Sequence, residues 1–155
     1  MLESYSFEKY TSSIAYQCKI IINEINEISV PAYIYFLRDC SNSKEYGIIT
    51  DMTIPYLPLY ENEDCAIVAT TRRIYKFNYI TETAVALFKL DSPCWDILRI
   101  NNKVIVLSEC DLYILDNDFN LISKMNFDDI IIDCAIEKKS ITLCFFEKEK
   151  FTIPL

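Results

Sequence analysis

One phrase recurs along this chain and limits what it can fold into: an apolar run, a short polar break, then a second apolar run. Residues 66–70 (Ala-Ile-Val-Ala-Thr), the break Thr71-Arg72-Arg73 and residues 74–77 (Ile-Tyr-Lys-Phe) match the phrase from Val104 to Leu115 at an offset of 38. Leu90-Asp91 and Trp95-Asp96 match Phe127-Asp128 and Ile132-Asp133 at an offset of 37. A third copy opens at Ser140, breaks at Glu147-Lys148-Glu149 and resumes at Phe151-Thr152-Ile153; a looser copy lies in residues 32–37 followed by 46–49. Short apolar runs bounded by turn residues read as strands. The stretch after Trp95 breaks at Asn101-Asn102, at Glu109-Cys110-Asp111 and at residues 116–120, which makes an antiparallel meander. Gly47 is the one glycine in 155 residues. Turns must therefore draw on Asn and Asp, which tolerate the left-handed region better than other residues.

Residues 65–155 are thus expected to be antiparallel strands, with turns near Arg72-Arg73, Asn101-Asn102, 116–120 and Lys138-Lys139. Four strands per period of about 40 residues resemble propeller blades. The phrase Leu112-Tyr113-Ile114-Leu115-Asp116 is the most blade-like, although the Gly-His and Trp-Asp dipeptides of familiar propeller repeats are missing. The resemblance covers residues 32–155 and implies a mainly β fold, with antiparallel meanders in an open, propeller-like stack of sheets. The alternative is a β-sandwich. Residues 1–31 follow neither a helical nor a strand period. No linker or low-complexity segment divides the chain, so residues 1–155 read as a single domain. No apolar stretch nears the roughly 20 residues of a membrane span, and the N-terminus lacks a secretory signal. Membrane partners are not expected.

Two absences narrow the chemistry. There is no histidine, which removes Ser-His-Asp and Cys-His catalysis and every His-bearing zinc site. A single glycine cannot build the phosphate-binding loops that need several. Seven cysteines, at 18, 40, 65, 94, 110, 134 and 144, are odd in number and widely spaced, with no Cys-x-x-Cys pair. They read as reduced thiols, most of them in the core, in a reducing cytoplasm. No metal, cofactor or catalytic site is expected, so the chain reads as a non-enzyme.

Charge is polarised along the sequence. Residues 106–135 carry Glu109, Asp111, Asp116, Asp118, Asp128, Asp129 and Asp133 against Lys124 alone, six of the net charge of −8. That balance disfavours direct nucleic-acid binding. Hairpin turns of a meander alternate between the two ends of a sheet, which gathers Glu109, Asp111, Asp128 and Asp129 at one end. A second region, residues 53–64, holds two prolines spaced by three, Pro55 and Pro58, with Tyr56 between them and Tyr60, Glu61, Glu63 and Asp64 after them. The prolines favour an extended loop, and tyrosines beside acids suit a protein interface. These nine residues, from Tyr56 to Asp129, are the candidate partner-binding set.

In general character the chain is similar to bacterial toxin-immunity proteins: small, acidic and without catalytic apparatus. That resemblance implies a cytoplasmic inhibitor that covers the active site of a basic partner such as a toxin nuclease domain. The alternative is a propeller-like scaffold or adaptor module in a larger assembly.

Overall fold

A computed structural model describes residues 2–9, 18–24, 33–39, 44–50, 59–61, 65–70 and 73–154; for residues 2–9, 39 and 59–61 it describes the backbone alone. The strands are, in order, β1 (Leu2–Lys9), β2 (Lys19–Asn23), β3 (Tyr33–Asp39), β4 (Lys44–Thr50), β5 (Leu59–Glu61), β6 (Cys65–Ala69), β7 (Arg73–Asn78) and β8 (Thr83–Lys89). They continue as β9 (Cys94–Ile100), β10 (Lys103–Ser108), β11 (Asp111–Leu115), β12 (Leu121–Asn126), β13 (Ile131–Glu137), β14 (Ser140–Phe145) and β15 (Phe151–Pro154). Among the described residues they form four sheets, ordered β1-β3-β4-β2, β5-β6-β7-β8, β12-β11-β10-β9 and β13-β14-β15. The fold is mainly β, and the sheets after the first are meanders, as the sequence pattern predicts. Among the described residues no helix is long and apolar enough to cross a membrane. The chain divides into two compact units, Met1–Phe88 and Lys89–Leu155.

In the first unit two sheets share a core. Ile22, Tyr35, Leu37, Tyr46 and Ile48 of the first sheet meet Ala66, Val68, Tyr75 and Phe77 of the second. The loose copy predicted over residues 32–49 is a β3–β4 hairpin but not a meander. Its outer neighbours are β1, antiparallel to β3, and β2, which runs parallel to β4. Gly47 faces Ile20 across that parallel pair, and a Cβ there would crowd the side chains of Ile20, Cys18 and Ile34. The glycine therefore serves close approach rather than a turn.

Polar groups join the two sheets of this unit. Glu24 accepts hydrogen bonds from the Thr70 hydroxyl and the Tyr75 hydroxyl, each at 2.8 Å. Burial, then Glu24 itself, pushes the Tyr75 phenol up to about 12. Glu82, in the β7–β8 turn, accepts from Lys19 at 3.1 Å, from Lys44, and from Tyr46 at 3.3 Å. Lys44 and then Lys19 hold its carboxyl down at about 2, against an ordinary value of 4.5. A carboxyl whose folded value is depressed adds stability above the unfolded value and loses it as pH falls through the folded one. The chain is expected to lose part of its urea resistance between pH 4.5 and 2, and Glu82→Gln to flatten that part of the profile. Identical acid limbs for the two proteins would show that the clamp contributes nothing.

The second unit repeats the same logic. Ile100, Ile105, Leu107, Leu112 and Ile114 of one sheet pack on Ile131, Ile141, Leu143, Phe145 and Ile153 of the next. Strands β6 and β11 are buried along their whole length and β10 from Val104 on, so none of them shows the alternation of a strand with one solvated face. β14 does alternate.

The sequence offsets survive as strand register. Ala66 pairs with Phe77 and Ala69 with Ile74; 38 residues on, Val104 pairs with Leu115 and Leu107 with Leu112. Arg99 faces Val104, and 37 residues on Ile136 faces Ile141. Even the irregularity is copied: the β9–β10 ladder skips Trp95 and the β13–β14 ladder skips Ile132. At each bulge an aspartate, Asp96 or Asp133, accepts the next residue's N–H at 2.8 Å.

The turns at 101–102, 116–120 and 138–139 lie where predicted; residues 71–72 lie outside the described residues, and Arg73 already belongs to β7. Among the described residues the expectation that Asn and Asp carry the left-handed positions holds for Asn101 (φ 55°) but not for Glu82 (52°) or Phe119 (65°). Phe119 is held there from both sides. Its ring is buried, and Asp116 accepts the flanking N–H groups of Asp118 and Asn120 at 2.9 and 2.8 Å.

The six described cysteines are free; Cys40 lies outside the described residues. Only Cys65 and Cys94 are fully buried, which corrects the expectation that most would be. Cys110 sits in a turn, and Cys134 and Cys144 lie on the partly exposed β13–β14 hairpin. Burial pushes the Cys94 thiol well up. Cys65 and Cys94 are expected to resist alkylation until denaturant unfolds the chain, with mass spectrometry locating the adducts. Fast labelling of Cys94 in the native protein would contradict this burial.

Candidate functional site

Four segments of the second unit come together at one end of its sheets. They are residues 91–93, the β10–β11 turn, the β12–β13 connection and the β14–β15 turn. Backbone bonds tie them: Glu109 N–H to Pro93 O at 2.9 Å, Phe127 N–H to Cys110 O at 2.8 Å, Ile131 N–H to Glu109 O at 2.6 Å and Phe146 N–H to Ile130 O at 3.0 Å. The turns bearing Glu109 and Asp128 therefore share one end, as alternation of hairpin turns requires.

Two of the acids at this end are interior brackets. Asp111 is 1% exposed. It accepts from the Ser92 hydroxyl at 2.7 Å and from the Asn126 amide, and Lys124 Nζ stands 3.6 Å away. Lys124 also pairs with Asp91 and lies over the Tyr113 ring, 5.3 Å from its centre. The Tyr113 hydroxyl in turn accepts the Asp91 N–H at 3.2 Å. Asp129 is 9% exposed and accepts three backbone N–H groups: Ile130 at 2.7 Å, and Glu147 and Lys148 at 2.9 Å each.

Ser92, 37 residues earlier, holds the corresponding place and accepts the Cys110 N–H at 3.1 Å. A hydroxyl in one repeat and a carboxylate in the next thus fasten the same turn. The exposed-turn placement of Asp111 and Asp129 expected from sequence is corrected accordingly. Both side chains brace a turn from inside.

Glu109 and Asp128 are exposed. Asp128 pairs with Lys148, which lowers its carboxyl below the ordinary range. Asp116 is lowered by the Asn120 side chain and backbone, at the opposite end of the sheet. Tyr60 and Glu61 lie in β5, an edge strand paired with β6, so part of the region read as a loop is strand. Tyr56, Glu63 and Asp64 lie outside the described residues.

Beside the acidic turns is a concavity of about 470 Å³. Phe127, Phe145 and Phe151 form its apolar floor, with Asp128 and residues 148–150 on the rim. Phe127 stacks at a tilt on Phe145, with centres 5.1 Å apart, and meets Phe151 at 6.0 Å. Phe146 nearby is 70% exposed. The sequence pattern does not disclose this floor, because Phe127, Phe145 and Phe151 lie in separate segments of the chain; their shared place at the repeat boundaries was the available signal. Among the described residues no group of acids and cysteines is placed to hold a metal ion. An aromatic hollow with a mixed-charge rim can seat an apolar side chain.

No protein-family model matches the sequence, and no curated protein matches it. Solved structures do match in fold. The computationally designed Ika4 protein aligns over 88% of this chain and 96% of its own, with a TM-score of 0.57 and 7% identity. BamB from Moraxella catarrhalis aligns over 79% of this chain and 40% of its own (TM-score 0.45, 13% identity). HIRA(644-1017) aligns over 84% and 46% (TM-score 0.44, 14% identity). The chain spans less than half the length of these last two. At 7% identity the likeness to the Ika4 protein is one of fold alone.

Proposed function

We propose that the chain is a propeller-like interaction module, a scaffold or adaptor that holds another protein and performs no catalysis. The observation that carries this reading is the turn end of the second unit. Its buried acids are consumed in bracing turns, while its surface offers an aromatic hollow ringed by charge. Free, largely apolar thiols suit a reducing compartment such as the cytoplasm. The test is co-purification from native extract with wild type and with Phe146→Asp. A module predicts a stoichiometric complex that the folded variant loses. Equal recovery by both proteins would remove this end from the reading.

A second reading, an acidic inhibitor of a basic protein such as a toxin nuclease, is supported by Glu109 and Asp128 standing exposed at the same end. Steered association slows as salt rises, because the Debye length falls from about 10 Å at 0.1 M to about 3 Å at 1 M. Reversal of Glu109 and Asp128 to Lys tests it without touching the buried Asp129. Unchanged association at low salt would sink the electrostatic reading.

A further inference from the structure

The last sheet has three strands, whereas the two meanders before it have four. Register shows which strand has no counterpart. Ile141 faces Ile153, Thr142 faces Thr152 and Leu143 faces Phe151. One repeat earlier Val104 faces Leu115, Ile105 faces Ile114 and Val106 faces Tyr113. β15 therefore occupies the place of β11, and Phe151 the place of Tyr113. Along the outer edge of β11 runs β12, antiparallel, with Lys124 opposite Tyr113 and Ser123 opposite Ile114. Among the described residues no strand lies along the outer edge of β15.

The consequence shows in the side chains. Tyr113, beside β12 and beneath Lys124, is 2% exposed; Phe151, at the same register position, is 50% exposed. The aromatic hollow opens beside it. Resting on the interaction-module reading, we propose that the outer edge of β15 is a strand-acceptor site for an extended segment of a partner protein. The segment adds antiparallel to β15. Its residue opposite Phe151 is a long side chain that stacks on the ring as Lys124 does on Tyr113, and a neighbouring apolar side chain fills the hollow. What fits this edge is shown by β12, which fills the same place one repeat earlier. Main-chain bonds supply the register of such an addition and side-chain pockets its selectivity. Pro154 lacks an N–H and ends the ladder, so the hollow must carry much of the affinity.

The probe is a synthetic peptide of residues 119–127, the β12 segment, titrated into the full chain while backbone amide exchange is followed. Expected is saturable binding, with at least a tenfold slowing of exchange at amides of residues 151–153. The same peptide N-methylated at Ser123 should bind at least tenfold more weakly, a comparison that leaves the protein unaltered. Phe151→Asp should weaken the unmodified peptide similarly. Slowing confined to β11, no slowing at millimolar peptide, or equal binding by the methylated peptide would overturn the proposal. So would a dimer that protects residues 151–153 without peptide, since the occupant is then a second copy. If the peptide fails while Phe146→Asp still loses its complex, the module reading stands and the strand-acceptor site falls.

Discussion

Asp111→Ala is expected to destabilise the second unit by about 3 kcal/mol, the lower end of the range for removing one partner of a buried ion pair. The lower end applies because Lys124, the stranded cation, keeps Asp91 and partial access to water. The Ser92 hydroxyl and the Asn126 amide both lose their acceptor, and an unmade buried hydrogen bond costs about 1–3 kcal/mol. Asp111→Asn retains an acceptor oxygen and should lose about half as much. Urea unfolding followed by circular dichroism reads the effect as a lower midpoint at unchanged slope. Adding Lys124→Met to Asp111→Ala should restore part of the loss, since the two act on one interaction. A loss below about 0.5 kcal/mol, typical of a surface change, would mean that Asp111 is no bracket.

Asp129→Ala should come close behind, at about 2–3 kcal/mol, because three N–H groups lose one carboxylate at once. Water can reach the rim of this site, which keeps the loss below three full penalties. Asp129→Asn is the sharper probe. Its amide oxygen can still serve Ile130, but the NH2 then confronts the Glu147 and Lys148 N–H groups, so asparagine should rescue little. Amide exchange should speed up at Glu147 and Lys148 before it does in β14. If Asn behaves like wild type, the carboxylate is not what fastens this turn.

The meander and its period were legible because a buried pleated strand imposes apolar runs, and a register shift of one residue turns a strand inside out. The offsets of 37 and 38 accordingly reappear in pairing and in the Trp95 and Ile132 bulges. The parallel β2–β4 pair was not legible, since Ile20-Ile21-Ile22 reads the same in either direction. Charge misled at Asp111 and Asp129. A count of acids says nothing about depth, and an aspartate at a strand start or connection turns inward when unpaired N–H groups converge there. A hint was present in the repeat itself, where Asp129 falls on the same place as Ser92. The hollow of Phe127, Phe145 and Phe151 escaped because aromatics at strand ends read as core until three of them are seen to share one rim.

The two units also differ in how far apart along the chain their partners lie. In the second unit each ladder joins consecutive strands across a short turn, so little entropy is lost in closing each loop. In the first, β1 must wait for β3 and β2 must find β4 beyond an intervening strand. Low contact order speeds folding. On refolding, residues 89–155 should therefore gain amide protection ahead of the first sheet, and a nascent chain would hold β1 and β2 unpaired until the β3–β4 hairpin gave them an edge.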